Sequence, residues 1–403
     1  MAQRLSFRLS IILTISLFVG TIQANAAKFQ PPSLQKRLTM RANKKGKKVL
    51  LLSFAGGGLM GALSLDMLVR LDKSLKTKLG AKFELRDHVA AVAGNSTGSL
   101  IAAGLAANIS LEKIRAAYHQ GDTIFPAPKS TMVQSVRSFF RAKYDNTGLK
   151  KVLGKYFDPK LKLNDLSIPI VIPSVEMTTS MDNAQERGGT NGTAYQTVAK
   201  RRNSGDLNLV ETLLSSSAAP TFLPMVPNPR RKVDAQGNKL YNSDGLVVAN
   251  DPSMELWAHV KQAAREAKVT IHGEQDLTML TFGTGRNPVT SGKPMKPNRG
   301  KLGWITGKNT IIETFMSAQA DATHRQLKLA LDKSYKRLDT WLPRADMQID
   351  DPKVVGELER FVAKNKPLQK QIDKTAEWLI GELQLTRIPE GSSTKVPDAA
   401  KFL

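Results

Sequence analysis

The sequence predicts an α/β fold with a mostly parallel central sheet. Two strand-like runs, Val49 to Phe54 and His88 to Ala93, each end in a glycine-containing turn that leads into a helix-like segment. Further apolar runs follow at Ile168 to Val175 and Leu277 to Phe282. Strands that are apolar along their length, without alternation, are those buried on both faces. Strand, helix, strand, helix in this order implies parallel pairing with right-handed crossovers and helices laid over the sheet.

Taken in order, Val49 to Phe54 is the first strand. Leu59 to Leu79 follows with helical spacing at Leu63, Leu65, Leu68, Leu71 and Leu75. His88 to Ala93 is the second strand, and Ser99 to Ala107 a helix whose small residues let it pack closely on a sheet. Ile168 to Val175 is a third strand, with Pro169 near its start, and Thr193 to Ala199 a fourth. Asp234-Ala235-Gln236-Gly237-Asn238 reads as a hairpin turn. Leu277 to Phe282 is a fifth strand, ending in Gly283-Thr284-Gly285. From Ile311 onward the pattern turns helical, and Lys353 to Leu385 reads as one or two amphipathic helices.

A chain of 403 residues has room for one large α/β domain or two smaller ones. It contains no cysteine, which excludes disulfides, thiolate metal sites and cysteine nucleophiles. Arg4 and Arg8 precede an apolar run from Leu9 to about Ile22, and Ala24-Asn25-Ala26 is a small-x-small cleavage pattern. Residues 1–26 therefore read as a secretory signal peptide; the run is short for a membrane span. Export to the periplasm or the outside is expected. Residues 27–48 form a basic flexible leader without an acid, and Pro31-Pro32 argues against a helix there. The formal charge is +24, falling by two to +22 once Arg4 and Arg8 leave with the signal. Such a surface attracts polyanions or anionic membranes. No nucleic-acid-binding pattern is present, so no nucleic-acid partner is expected.

Chemistry concentrates in two stretches. Gly94-Asn95-Ser96-Thr97-Gly98 sets a serine at a sharp strand-to-helix turn, where small residues on both sides lift the Ser96 hydroxyl out of the fold. Gly56-Gly57-Gly58-Leu59-Met60-Gly61 can supply free backbone N–H groups. The same glycines spell a dinucleotide-binding fingerprint, but that reading needs an acid at the end of the second strand, and Asn95-Ser96 stands there. An oxyanion hole built from the amides of Gly57 and Gly58 is the better reading. A serine hydroxyl also needs a base. Downstream stand Asp244, before Gly245, and two histidines, His259 inside a helical run and His272 beside Gly273, both more in keeping with surface or packing roles.

The glycine-rich turn, GNSTG, Ser217-Ala218-Ala219-Pro220-Thr221-Phe222-Leu223-Pro224, Asn242-Ser243-Asp244-Gly245 with Asn250-Asp251-Pro252, and Thr281-Phe282-Gly283-Thr284-Gly285 together resemble the patatin-like phospholipases. The resemblance runs in order from about Val49 to Gly285. It implies a three-layer α/β/α sandwich over residues 49–310, with 311–403 a helical C-terminal region outside it. It implies Ser96 as nucleophile, Asp244 as base, and an oxyanion hole at Gly56, Gly57 and Gly58, with Gly94 and Gly98 shaping the elbow and no metal or cofactor. Its substrates would be phospholipids or lysophospholipids, met at an anionic membrane surface. Phe139-Phe140, between Arg137 and Arg141, is a stretch that could press into such a surface. Two departures stand out: Ala55 where the family often has Asp, and Met60 where it commonly has a basic residue. A non-catalytic lipid binder of the same fold, and more remotely a dinucleotide-binding enzyme, are the alternatives.

Overall fold

The computed structural model describes residues 48–127, 141–178, 190–200, 203–234, 237–287 and 311–388. The signal segment, the leader through residue 47, the Phe139-Phe140 pair and residues 235–236 of the expected hairpin turn lie outside the described residues.

Among the described residues eight strands make one sheet: β1 (Val49–Phe54), β2 (Val89–Gly94), β3 (Ile170–Thr178), β4 (Thr190–Gln196), β5 (Val226–Pro227), β6 (Leu240–Asp244), β7 (Leu277–Phe282) and β8 (Tyr335–Leu338). Their order is β5-β6-β3-β2-β1-β7-β8, with β4 also paired to β3. The run from β3 through β2, β1 and β7 to β8 is parallel. Strands β4, β5 and β6 join antiparallel.

Among the described residues the helices are α1 (Gly61–Leu79), α2 (Thr97–Ala106), α3 (Leu111–Tyr118), α4 (Thr147–Tyr156), α5 (Leu209–Ser216), α6 (Leu246–Ala249), α7 (Ser253–Glu266), α8 (Ile311–Leu331), α9 (Lys353–Lys364) and α10 (Lys366–Leu383), with a further single helical turn at Gly121–Ile124. Successive strand residues point to opposite faces, and β1 divides accordingly. Leu50, Leu52 and Phe54 pack in one core with α1, α2, α9 and α10. Val49 and Leu51 pack in the other with α7 and the end of α8. Two cores on one sheet are the three layers expected. Among the described residues no helix is long and apolar enough to cross a membrane.

Strands β1 and β7 have the expected bounds, and β2 is shifted by one residue. The C-terminal stretch resolves into two helices because Asn365 accepts a hydrogen bond from Leu368 N–H and so starts a new helix one residue past the old one. Strand β6 was not anticipated. Asn242, Ser243 and Asp244 make it polar, yet all three are buried. The sheet accepts them because Asn242 Nδ2 donates to Ser174 Oγ at 2.8 Å and Ser243 Oγ to the Ala218 carbonyl at 3.1 Å.

The C-terminal region also contributes β8, a short charged strand hidden among helices. Arg337 in β8 is 8% exposed between Asp251 and Asp339, which are 0% and 6% exposed. Its guanidinium donates to Asp251 Oδ2 and twice to Asp339 Oδ2, at 3.0 and 3.1 Å. Removing the cation would leave the buried Asp251 carboxylate without its cation and Asp339 with only the more distant Arg286, at 3.5 Å. Arg337→Met is therefore expected to lose about 3–5 kcal/mol of stability, read from denaturant unfolding. Adding Asp251→Asn should restore part of that loss; an unaltered midpoint for Arg337→Met would show that the cluster is not holding β8 in place.

Candidate active site

The sheet register brings Ser96 and Asp244 to one level. Ala93 pairs with Val171, and Asp244 pairs with Ser174. Ser174 is three residues past Val171, the same advance that takes the chain from Ala93 to Ser96. Chain direction differs between β2 and β6, but both deliver their residue to the same level, near the middle of β3.

Ser96 has φ 51° and ψ −125°. A non-glycine residue in that region costs about 1–3 kcal/mol and persists only where its surroundings impose it. Here they do. A Cβ on Gly94 would lie 2.2 Å from the Gly98 carbonyl oxygen, and one on Gly98 would lie 2.3 Å from that of Phe54. The turn closes only because both are glycine. Ser96 N–H donates to Ser216 Oγ at 3.1 Å, which fixes the elbow from α5.

Asp244 is fully buried. Its Oδ1 accepts from Leu246 N–H at 2.8 Å and from Asn95 Nδ2 at 3.0 Å. Its Oδ2 has no hydrogen-bond partner. Burial pushes the carboxyl up from 3.8 to about 6, against the opposing pull of the Leu246 amide, the nearby Ser96 hydroxyl and the Asn95 amide. The hydroxyl thus sits close enough to be felt by the carboxylate, with no hydrogen bond of ordinary length yet formed to Oδ2.

The glycine loop divides. Gly57 and Gly58 stand on the cavity wall beside Ser96 and Asp244, and neither amide donates to another described residue. Gly58 has φ 57°, and a Cβ there would be 2.4 Å from the Ile349 carbonyl oxygen. Gly56 departs from expectation. Its N–H is spent on the Asn250 carbonyl at 3.0 Å, and it is absent from the cavity wall. Its carbonyl accepts from Thr284 Oγ1 at 3.2 Å and Asn250 Nδ2 at 3.4 Å. Gly56 anchors the loop and offers no donor.

Sequence reasoning missed the groups that hold these parts. Asn95 Nδ2 reaches Asn250 Oδ1 at 3.3 Å as well as Asp244, and Asn95 Oδ1 accepts from Ser216 Oγ at 3.2 Å. Asn95 and Asn250 both lay in quoted motifs, but nothing local assigns them to each other. Thr97 was also passed over; its amide follows the serine, lines the cavity and donates to no described residue.

The cavity is open at its mouth, and its empty space amounts to about 820 Å³ with the open solvent there included. Leu100, Phe125, Leu149 and Leu223 give it an apolar wall, and Ile312 and Met316 of α8 close one side. None of the five histidines lines it. His259 and His272 lie on α7 and just before β7, and neither joins Ser96 and Asp244 on the wall. Among the described residues no group of His, Asp or Glu is arranged to hold a metal. Where a dinucleotide would need an acid, the chain has the Asn95 amide turned inward onto Asp244.

A family model described as patatin-like phospholipase matches residues 52–257. The chain is similar to the cGAMP-activated phospholipase of Vibrio cholerae serotype O1, 27% identical over 285 residues that cover 68% of this chain and 75% of that one. It is also similar to patatin-like protein 1 of Arabidopsis thaliana, 26% identical over 366 residues covering 85% and 82%. Among solved structures, VipD from Legionella pneumophila covers 88% of this chain and 74% of that one, at a TM-score of 0.34 and 13% identity, too distant to bear on the site.

The raised pKa of Asp244 has a consequence for stability. Its folded value, about 6, lies above the ordinary 3.8. Between these values the folded chain holds a proton that the unfolded chain releases, so stability falls as pH rises through that window. Above it the buried charge costs about 3 kcal/mol. Asp244→Asn keeps the acceptor for Leu246 and Asn95 without the charge. It is expected to melt higher than the unaltered protein at pH 8, with the gap closing toward pH 4, as measured by thermal unfolding across pH.

Proposed function

The chain belongs to the patatin-like phospholipase family, and from that premise we propose that it is an exported acyl hydrolase cleaving carboxylic esters of phospholipids or lysophospholipids with Ser96 and Asp244. One observation carries the reading: a strained serine and a buried carboxylate with one bare oxygen share the wall of a single apolar cavity.

Asp244 Oδ2 takes the proton from Ser96 Oγ as Oγ attacks the ester carbonyl carbon. The oxyanion that forms lies against the amides of Gly57 and Gly58, which carry no other acceptor. Collapse expels the alcohol, which leaves with the proton held on Asp244. Water then attacks the acyl-enzyme, Asp244 takes its proton, and collapse of the second tetrahedral species returns that proton to Ser96 and frees the fatty acid. A carboxyl near 6 is still ionised at neutral pH and is a stronger base than an exposed aspartate.

Contact with a membrane is supported by the mouth of the cavity. On α8, Ile312 and Met316 line the inside while their neighbours Ile311 and Phe315 are 41% and 55% exposed. On α6, Leu246 lines the inside while Val247 and Val248 are 53% and 40% exposed. An apolar rim on a chain of charge +24 suits an anionic lipid surface. The signal-like segment 1–26 supports export.

On a short-chain nitrophenyl ester, Ser96→Ala and Asp244→Asn are each expected to lower kcat/KM at least about a thousandfold. In the unaltered enzyme the rate should fall below pH 6, because the protonated carboxyl accepts no proton. Turnover that survives Asp244→Asn but vanishes in His259→Ala or His272→Ala would overturn the dyad. Phe315→Asp combined with Val247→Asp should weaken sedimentation with phosphatidylserine vesicles about tenfold or more; undiminished sedimentation would remove the rim from the reading.

A further inference from the structure

Three residues on the cavity wall carry side-chain oxygens that are buried and have no hydrogen-bond partner among the described residues: Asp244 Oδ2, Thr97 Oγ1 and Ser217 Oγ. The reaction described above uses the first and leaves the two hydroxyls idle. A buried hydroxyl without a partner is destabilising, and alanine would avoid the cost, so its presence beside a reacting centre calls for a reason.

Ser217 follows the last residue of α5 and is 4% exposed. Its backbone is held: the N–H donates to the Leu213 and Leu214 carbonyls, and the carbonyl accepts from Ala219 N–H. Only the hydroxyl is left to turn. Its two neighbours bind the two reacting residues. Ser216 Oγ accepts from Ser96 N–H at 3.1 Å. The Ala218 carbonyl accepts from Asp244 N–H at 3.0 Å. Ser217 therefore stands between the anchor of the nucleophile and the anchor of the base, on the wall that both share. Thr97 is placed differently. It belongs to the nucleophile's own helix, and its carbonyl is tied to Tyr118 Oη, away from the strand of the acid.

We propose that Ser217 Oγ holds the oxygen that enters and leaves at the acyl carbon: the departing alcohol in the first half of the reaction and the hydrolytic water in the second. This rests on the ester-hydrolase reading. The two oxygens share one place, because hydrolysis of the acyl-enzyme retraces the departure of the alcohol with water in its stead. In the first half, Ser217 O–H donates to the alcohol oxygen as its bond to the acyl carbon breaks, and that oxygen takes the proton from Asp244. In the second, water gives one hydrogen to Asp244 Oδ2 as its oxygen bonds to the acyl carbon, while Ser217 Oγ accepts a hydrogen bond from the other. The bond from the acyl carbon to Ser96 Oγ then breaks, and the proton on Asp244 returns to Ser96. A hydroxyl serves both halves because it donates, accepts and rotates. A water held in a cavity needs at least two polar partners, and on this largely apolar wall Asp244 and Ser217 supply them.

The test uses the full mature chain, with nitrophenyl butyrate and ethyl butyrate as substrates and the acyl-enzyme followed by mass spectrometry. Nitrophenolate leaves without needing a proton or a donor, so Ser217→Ala should keep kcat/KM on nitrophenyl butyrate within about twofold, since that ratio covers only the steps through acylation. The acyl-enzyme should decay at least about tenfold more slowly, and kcat/KM on ethyl butyrate should fall about tenfold as well. Ser217→Thr, which keeps the hydroxyl, should restore most of both losses. Ser217→Ala should melt no lower than the parent, because the lost group bonds to nothing in the protein. Decay of the acyl-enzyme at the parental rate in Ser217→Ala overturns the proposal. So does a loss on nitrophenyl butyrate as large as the loss in decay, which would mark a merely structural residue. Failure of the parent to form an acyl-enzyme at Ser96 overturns the ester-hydrolase reading itself and this proposal with it, and the parent alone reveals it.

Discussion

The side-chain amide of Asn95 is the interaction on which the rest of the site depends. Its nitrogen donates to Asp244 and to Asn250, and its oxygen accepts from Ser216, which in turn accepts from the Ser96 amide. Asn250 grips Gly56 by its carbonyl oxygen and by its side chain. One buried neutral group therefore ties the serine elbow, the acid and the glycine loop together. A satisfied polar network in a low-dielectric interior is rigid because each broken bond leaves a costly orphan. Its neutrality matters as much as its reach. A lysine or arginine against Asp244 would pull the carboxyl far down and weaken it as a base. An amide orients the carboxylate while leaving burial to dominate, and the carboxyl rises to about 6.

The family match ends at residue 257, but the site does not. Thr284 holds the Gly56 carbonyl, Ile349 stands against Gly58 and accepts from Leu59 N–H, and Gln319 of α8 accepts from the Asn250 amide. Each contact restrains the glycine loop or the residue that grips it. β8 continues the sheet beside β7, and the buried Arg337 cluster joins it to Asp251, the neighbour of Asn250. The C-terminal region is thus part of what shapes the loop, although its sequence carries none of the family motifs.

What was legible in the sequence follows from where the information lies. β1 and β7 could be bounded because a strand covered on both faces is apolar throughout. The serine turn could be found because its constraints are local: two glycines and a strand. β6 could not, since its polar residues look like a loop until Ser174 and Ala218 are there to bond them. β8 has four residues, and its arginine reads as surface until two acids from elsewhere enclose it. Gly56 and Gly57 are identical neighbours in sequence. Only the Asn250 carbonyl, from almost two hundred residues away, makes one an anchor and leaves the other a free donor.

Met60 gives the departure from the family pattern a physical meaning. It is buried, and no lysine or arginine lines the cavity among the described residues. On the proposed reading, an oxyanion formed here is met by backbone dipoles alone, and those need no counter-charge near Asp244. A cation at that wall would serve the oxyanion but also lower the carboxyl, working against the base that generates the nucleophile. The apolar wall avoids the conflict. An acyl chain filling it would displace water, which would strengthen the amide contacts and press the carboxyl further toward neutrality. On that reading, selection of a hydrocarbon chain and tuning of the base have one cause.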